Sequence, residues 1–206
     1  MKNILTIPNL LTVLRFILVP LFLFCFLSDR MALQILGTFL FILAALTDHY
    51  DGRIARRYRQ VTQFGKFADP LADKLLTLAG FVAIVLRDEF AAVAVYLAVM
   101  VGIIAVREIG ITVLRIWAIM RETPVITSMW GKVKTTAQLF TIIFTLVILN
   151  FRQITLKVPE SATYYPGDQV VTYVVNALIF ICMIITVISG ILYLSRNRLE
   201  PNNSAA

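Results

Sequence analysis

The sequence predicts an all-α integral membrane protein of six transmembrane helices with a polar site facing the cytoplasm, and three observations carry that prediction. Hydrophobic residues make up 59% of the 206 and charged residues only 15%, against about 25% charged in soluble domains, and the mean hydropathy is +0.84. The apolar residues fall into long uncharged runs of the kind that cross a bilayer. The charges that remain gather between the runs, most densely over residues 48–73, DHYDGRIARRYRQVTQFGKFADPLAD.

In chain order, residues 1–27 open with Pro8 and Asn9, a helix start, and carry Asn9, Thr12 and Arg15 at three-residue intervals as a polar stripe on an apolar helix. Two readings of the stripe stay open: Arg15 snorkels to the membrane surface, or the stripe faces the headgroup end of the polar site. Arg15 interrupts the first apolar stretch and no small-x-small cleavage site follows it, so this segment is expected to stay in the mature protein. Residues 31–47 form an uncharged run of 17, just long enough to span, and end directly at Asp48. After a basic loop, residues 69–86 supply a third span with Asp73 and Lys74 in its first turns. Pro70 fits the first turn of that helix, or else kinks a helix that begins nearer Gly65.

Arg87, Asp88 and Glu89 make a short hydrophilic turn. The fourth run, residues 90–106, continues past Arg107 and Glu108 to Trp117 with Arg115 inside it, so this helix is expected to project beyond the hydrocarbon. Residues 135–151 give a fifth span, 152–168 a polar loop, and 169–195 a sixth span of 27 uncharged residues. One domain over residues 1–200 is expected, with a disordered tail, PNNSAA, at 201–206. Cys25 and Cys182 sit inside apolar runs without a CxxC partner and read as packing residues.

The spacing of the acids points to a metal site. Asp48 and Asp51 are i, i+3 and Asp69 and Asp73 are i, i+4, so each pair shares one helix face. Four converging carboxylates repel one another and are costly beside hydrocarbon unless a cation neutralises them. Oxygen-only ligands suit Mg²⁺ or Mn²⁺, whereas zinc would bring His or Cys. Gly52, directly after Asp51, would let a bulky ligand lie against the backbone, and Arg56 follows about one turn later. A phosphate-bearing substrate would satisfy both metal and cations. His49 points away from the shared face of its neighbouring acids and reads as non-catalytic, while Trp117 and Trp130 read as interfacial anchors.

A second basic group, Arg107, Arg115, Lys132 and Lys134, is expected at the same membrane level on other helices, as a positive pocket for a second anionic substrate. Lys132 and Lys134 would not share a helix face, but at a helix start after Gly131 both could reach one phosphate. Residues that merely set topology are the alternative. The net charge of +7 is interleaved with spans rather than gathered on a soluble face, which favours membrane lipid headgroups and phosphorylated substrates over nucleic acid. Six spans put both termini on one side, and 15 of the 19 Lys and Arg residues fall there. The positive-inside rule therefore places the termini and the site in the cytoplasm.

The eight positions of Asp48-x-x-Asp51-Gly52-x-x-Ala55-Arg56, eight residues, then Gly65-x-x-x-Asp69-x-x-x-Asp73 resemble the signature of the CDP-alcohol phosphatidyltransferase family without a departure. The resemblance is strongest over residues 44–80. Flanking stretches, IPNLLTVLRFILVP, REIGITVLRIWA and GKVKTTAQ, look most like the bacterial branch that makes phosphatidylglycerophosphate. It implies two divalent cations on Asp48, Asp51 and Asp69, with Asp73 as general base and further ligand. It also implies that CDP-diacylglycerol contacts Gly52, Arg56 and Thr62, with Asn9 and Thr12 at the same end. The implied acceptor is sn-glycerol 3-phosphate, on Arg107, Arg115, Lys132 and Lys134, and the products are phosphatidylglycerophosphate and CMP. A multi-pass protein of the bacterial cytoplasmic membrane is implied too, as is a homodimer. The competing readings are the same family with inositol phosphate or serine as acceptor, a membrane prenyltransferase, and a divalent-cation transporter. A prenyltransferase would not require Gly52, Ala55 and Arg56 at these spacings, and a transporter would carry its acids at the midplane.

Overall fold

The computed structural model describes the backbone of residues 7–58, 63–120, 129–158 and 165–198, and side chains within 10–47, 71–118, 120, 131, 133–158 and 165–195. Every regular element among them is helical: α1 (Ile7–Phe26), α2 (Met31–Tyr58), α3 (Gln63–Val85), a 3-10 turn (Asp88–Val93), α4 (Ala94–Met120), α5 (Met129–Lys157) and α6 (Asp168–Arg198). Asp88–Ala118, Val133–Lys157 and Asp168–Ser195 are long and apolar enough to cross a membrane, and Leu10–Phe26 and Met31–Thr47 are shorter apolar stretches.

The helices outrun the apolar runs that announce them. Helix α2 continues past Thr47 to Tyr58 and α3 begins at Gln63, so most of the expected basic loop is helix. Ala and Arg are good helix formers, and one interior glycine costs only about 1 kcal/mol once a long helix is established. Pro70 therefore lies within a helix that starts before Gly65, not in the first turn of one that starts beside it. Helix α5 likewise begins at Met129 and runs to Lys157, shortening the expected polar loop before α6.

Helices α1 and α2 form an antiparallel hairpin whose close approach depends on Gly37, where a Cβ would stand 2.7 Å from the backbone nitrogen of Phe26. Small residues at such crossings let two backbones pack without intervening side chains. The rings of Phe22 and Phe41 meet at 5.1 Å one turn further along. Helix α3 packs against α1, α2, α4 and α5, and α6 closes the bundle against α4 and α5. At Gly80 of α3 a Cβ would come within 2.7 Å of Ile142 and 2.9 Å of Phe41, which pins α2, α3 and α5 together. Phe81, Ile84, Leu97, Ile104, Ile142 and Leu146 complete a core that runs through the helices. Cys25 and Cys182 are buried in it as free thiols.

At the end of the bundle where α3 finishes, two arginines and two carboxylates form a closed ion network. Arg87 donates twice to Glu89, at 2.8 and 2.9 Å, and once to the carbonyl of Phe26 at 3.2 Å. Arg152 donates to both oxygens of Asp168, at 2.7 and 3.0 Å, and to Glu89 at 3.3 Å. Tyr165 donates to Asp168 at 2.8 Å; burial, followed by that hydrogen bond, raises its hydroxyl above the usual phenol range. This network ties the ends of α1, α3, α5 and α6 together and leaves the opposite end free for the polar site.

Candidate functional site

The antiparallel hairpin sets the level of the polar end. Phe22 packs on Phe41, and seven residues further along each helix, roughly 10 Å at 1.5 Å per residue, stand Arg15 and residue 48. Thr12 and Arg15 are buried, at 0% and 1% exposure. Because α1 packs on α2 and α3, that buried face is turned towards the two helices that carry the aspartates. Arg15 thus does not snorkel to a surface; the other reading, that the stripe faces the headgroup end of the polar site, falls on side chains outside the described residues. The Arg15 side chain is held inside the bundle.

Asp48, Asp51, Gly52 and Arg56 lie on α2 and Asp69 on α3, but their side chains, like those of Asn9 and Lys132, and the whole of Thr62, lie outside the described residues. So does the expected tail at 201–206. Counted from the helix ends Tyr58 and Gln63, residue 48 and residue 73 each stand ten residues from the α2–α3 connection. The backbone therefore carries all four aspartates towards one end of the bundle. Among the described residues no three His, Cys, Asp or Glu side chains converge.

Asp73 is described, and it opens a chain of charge through the bundle. Its Oδ2 accepts from Lys74 Nζ at 3.1 Å, and the carboxylate is 28% exposed. Lys74 Nζ stands 3.3 Å from Oε2 of Glu108 on α4. Oε1 of Glu108 is in direct contact with Lys134 Nζ of α5, and accepts from Arg107 at 3.4 Å and Gln138 at 3.3 Å. Helix α6 braces the group from the far side: Gln138 donates to Thr186 at 3.1 Å and Arg107 to Ser189 at 2.9 Å. Arg107 also lies across Gly190, where a Cβ would meet its Nε at 3.0 Å. Arg115, two turns beyond Arg107, is half-buried, and its Nε finds no acceptor among the described residues.

Of the four cations expected to form a second pocket, the structure brings Arg107 and Lys134 together. It adds two residues that sequence reasoning passed over, Lys74 and Glu108. A buried carboxylate is tolerable only when paired, and Glu108, 1% exposed, has three cations around it. The signal that could have found it was periodicity. Lys134, Gln138, Thr141 and Thr145 recur along one face of α5 and are all buried, a polar stripe in an apolar helix that needs a polar partner on its neighbours. Glu108 is the one acid within the long apolar stretch of α4.

Arg107 also borders an apolar groove of about 640 Å³ between α4 and α6, lined by Val99, Ile103, Gly110, Leu114 and Ile191 among others. The polar end thus combines a partly exposed carboxylate, a cation-rich buried cluster and an adjoining apolar groove. Such a set can hold an anionic headgroup beside a hydrocarbon tail.

Comparison with known proteins gives the same direction. The family model for CDP-alcohol phosphatidyltransferase matches residues 5–192. A CDP-diacylglycerol–glycerol-3-phosphate 3-phosphatidyltransferase of Salmonella paratyphi A is 34% identical over 194 residues, 93% of this chain and 94% of its own length. Proteins of the same name from Haemophilus influenzae and Pectobacterium atrosepticum are 37% and 40% identical over 135 residues, 65% of this chain and 71% and 72% of theirs.

Proposed function

Because the chain belongs to the CDP-alcohol phosphatidyltransferase family, a family of transferases, we propose that it moves the phosphatidyl group of CDP-diacylglycerol to sn-glycerol 3-phosphate. The products are phosphatidylglycerophosphate and CMP. The observation that carries this choice of acceptor is the similarity to transferases of that name along nearly the whole of both chains. The cluster of Lys74, Arg107 and Lys134 beside Asp73 supports it at residue level, since an acceptor bearing a phosphate dianion requires cations that an uncharged alcohol does not.

In this reading Asp73 takes the proton from the attacking hydroxyl of glycerol 3-phosphate. The hydroxyl oxygen bonds to the phosphatidyl phosphorus, the bond from that phosphorus to the CMP oxygen breaks, and CMP departs with the electron pair. Lys74, hydrogen-bonded to Asp73 at 3.1 Å, keeps the carboxylate oriented. Arg107, Arg115, Lys132 and Lys134 hold the acceptor phosphate, and Gly52, Arg56, Thr62, Asn9 and Thr12 hold the nucleotide lipid. Asp48, Asp51, Asp69 and Asp73 would hold two Mg²⁺ or Mn²⁺ ions, the all-oxygen donor set and the partial exposure of Asp73 being suited to them. When bound, such ions neutralise charge on the pyrophosphate.

The protein is further proposed to cross the bacterial cytoplasmic membrane six times, with both termini and the site on the cytoplasmic side, to form one domain over residues 1–200, and to work as a homodimer. The test of function is incorporation of radiolabelled glycerol 3-phosphate into chloroform-soluble lipid by purified protein with CDP-diacylglycerol. Loss of label on omitting the donor, and on chelating divalent cations, is expected. Incorporation of serine or inositol phosphate instead, with none of glycerol 3-phosphate, would refute the acceptor.

A further inference from the structure

Glu108 has no assigned part in the chemistry above, yet among the described residues it is the most heavily coordinated side chain at the polar end. One carboxylate, 1% exposed, faces Lys74, Lys134 and Arg107, which arrive from α3, α5 and α4. Gln138 adds a neutral donor at 3.3 Å, and α6 fixes Gln138 and Arg107 through Thr186 and Ser189. An acid in this place competes with any phosphate for the same cations. If the bundle needed only neutrality here, fewer cations would serve.

The chemistry of transfer gives such a competitor a use. The phosphate of the acceptor does not react; it enters on the substrate and leaves on the product. Contacts to it are therefore equally strong in the ground state, the transition state and the product, and such uniform binding lowers KM without raising kcat. Lys134, buried, and Arg107 and Lys74, partly buried, with only Asp73 as a counter-charge would hold the phosphorylated product as firmly as the substrate. We propose that Glu108 is a positioning residue of the acceptor site, an internal counter-charge that fixes Lys74, Arg107 and Lys134 in place and weakens the hold of Arg107 and Lys134 on the acceptor phosphate so that product is released.

This rests on the reading of Arg107 and Lys134 as acceptor-phosphate ligands, and inorganic phosphate is the probe. The full chain in lipid nanodiscs is compared as wild type, Glu108→Gln and Glu108→Asp. In Glu108→Gln the KM for glycerol 3-phosphate and the competitive inhibition constant of inorganic phosphate should each fall roughly tenfold, from loss of one buried charge close to the anion, while kcat falls and the KM for CDP-diacylglycerol stays the same. Glu108→Asp retains the charge, so phosphate inhibition should match wild type while kcat falls because the two lysines are drawn back by a methylene. Unchanged or weaker phosphate inhibition in Glu108→Gln, with kcat and thermal stability declining together, overturns the proposal and leaves Glu108 a packing strut. Should Glu108→Gln not fold, weakened phosphate inhibition or an unaltered kcat in Glu108→Asp overturns it as well. Titration calorimetry of inorganic phosphate into each protein reads the same difference without turnover, so absence of activity with glycerol 3-phosphate would sink the acceptor assignment and not this one.

Discussion

Replacing Lys134 by Gln separates the acceptor role from a merely structural one. Lys134 is 4% exposed and its ammonium is in direct contact with Glu108. The substitution would leave Glu108 with Lys74 at 3.3 Å, Arg107 at 3.4 Å and Gln138 at 3.3 Å, so the carboxylate is not stranded, and the new amide can still donate to it. The stability loss should therefore stay near the low end of the about 3–5 kcal/mol that follows when a buried pair is broken outright. The acceptor phosphate in turn loses one of its four proposed cations. Losing one charge-assisted hydrogen bond costs about 1.5–3 kcal/mol, a rise in the glycerol 3-phosphate KM of roughly 10- to 150-fold. The KM for CDP-diacylglycerol should remain within about twofold, as expected of a contact made only to the acceptor. Initial rates with each substrate varied against saturating partner, alongside a thermal unfolding curve in detergent, provide both numbers. Lower stability with an unchanged acceptor KM would show that Lys134 only holds Glu108, and a shift confined to the donor KM would place it in the other site.

Three further substitutions test other steps. Asp48→Asn should abolish turnover while leaving the protein folded in detergent, and near-normal activity at saturating Mg²⁺ would rule out a primary ligand role. Asp73→Asn should lower kcat by about a hundredfold or more with donor binding kept, as removal of a general base does; a change in donor affinity alone would make Asp73 a binding residue. Gly37→Ala pushes a Cβ to 2.7 Å from the Phe26 backbone nitrogen, an overpacking that costs about 1–3 kcal/mol because no flexible side chain can yield. Its unfolding temperature should drop, and a wild-type value would mean the α1–α2 crossing adapts.

How much was legible in the sequence depended on which contacts carried the information. Helix number followed from runs of apolar residues, which are local. The helix ends did not, because residues 48–58 are polar yet helical: propensity extends a helix that hydropathy alone would stop. The spacing of the four aspartates is likewise local and could be read directly. Glu108 was passed over as a site residue because its partners, Lys74 and Lys134, are 34 residues before and 26 residues after it; only the polar stripe of α5 and its place as the one acid of α4 point to it, not the spacing of either lysine. The sequence left Arg15 with two open readings for a related reason. Whether a cation at a helix end snorkels or turns inward is decided by the neighbour it packs against, here α2 and α3.

The two ends of the bundle differ in how far their described charges are matched. At the α3 C-terminal end, Arg87 and Arg152 meet Glu89 and Asp168, two positive charges against two negative, and both carboxylates accept from two arginine nitrogens or more. Such a set is self-satisfied and has nothing left to offer an anion. At the other end Lys74, Arg107 and Lys134 face Asp73 and Glu108 among the described acids, three positive charges against two negative within that cluster. Nε of Arg107 and Nε of Arg115 are enclosed there without acceptors among the described residues. Buried donors and unbalanced cations cost free energy in an empty bundle, and a bound phosphate dianion would satisfy both at once. The same fold therefore closes one end with matched ion pairs and, within the described cluster at the other, leaves cations and buried donors unmatched where the acceptor is proposed to bind.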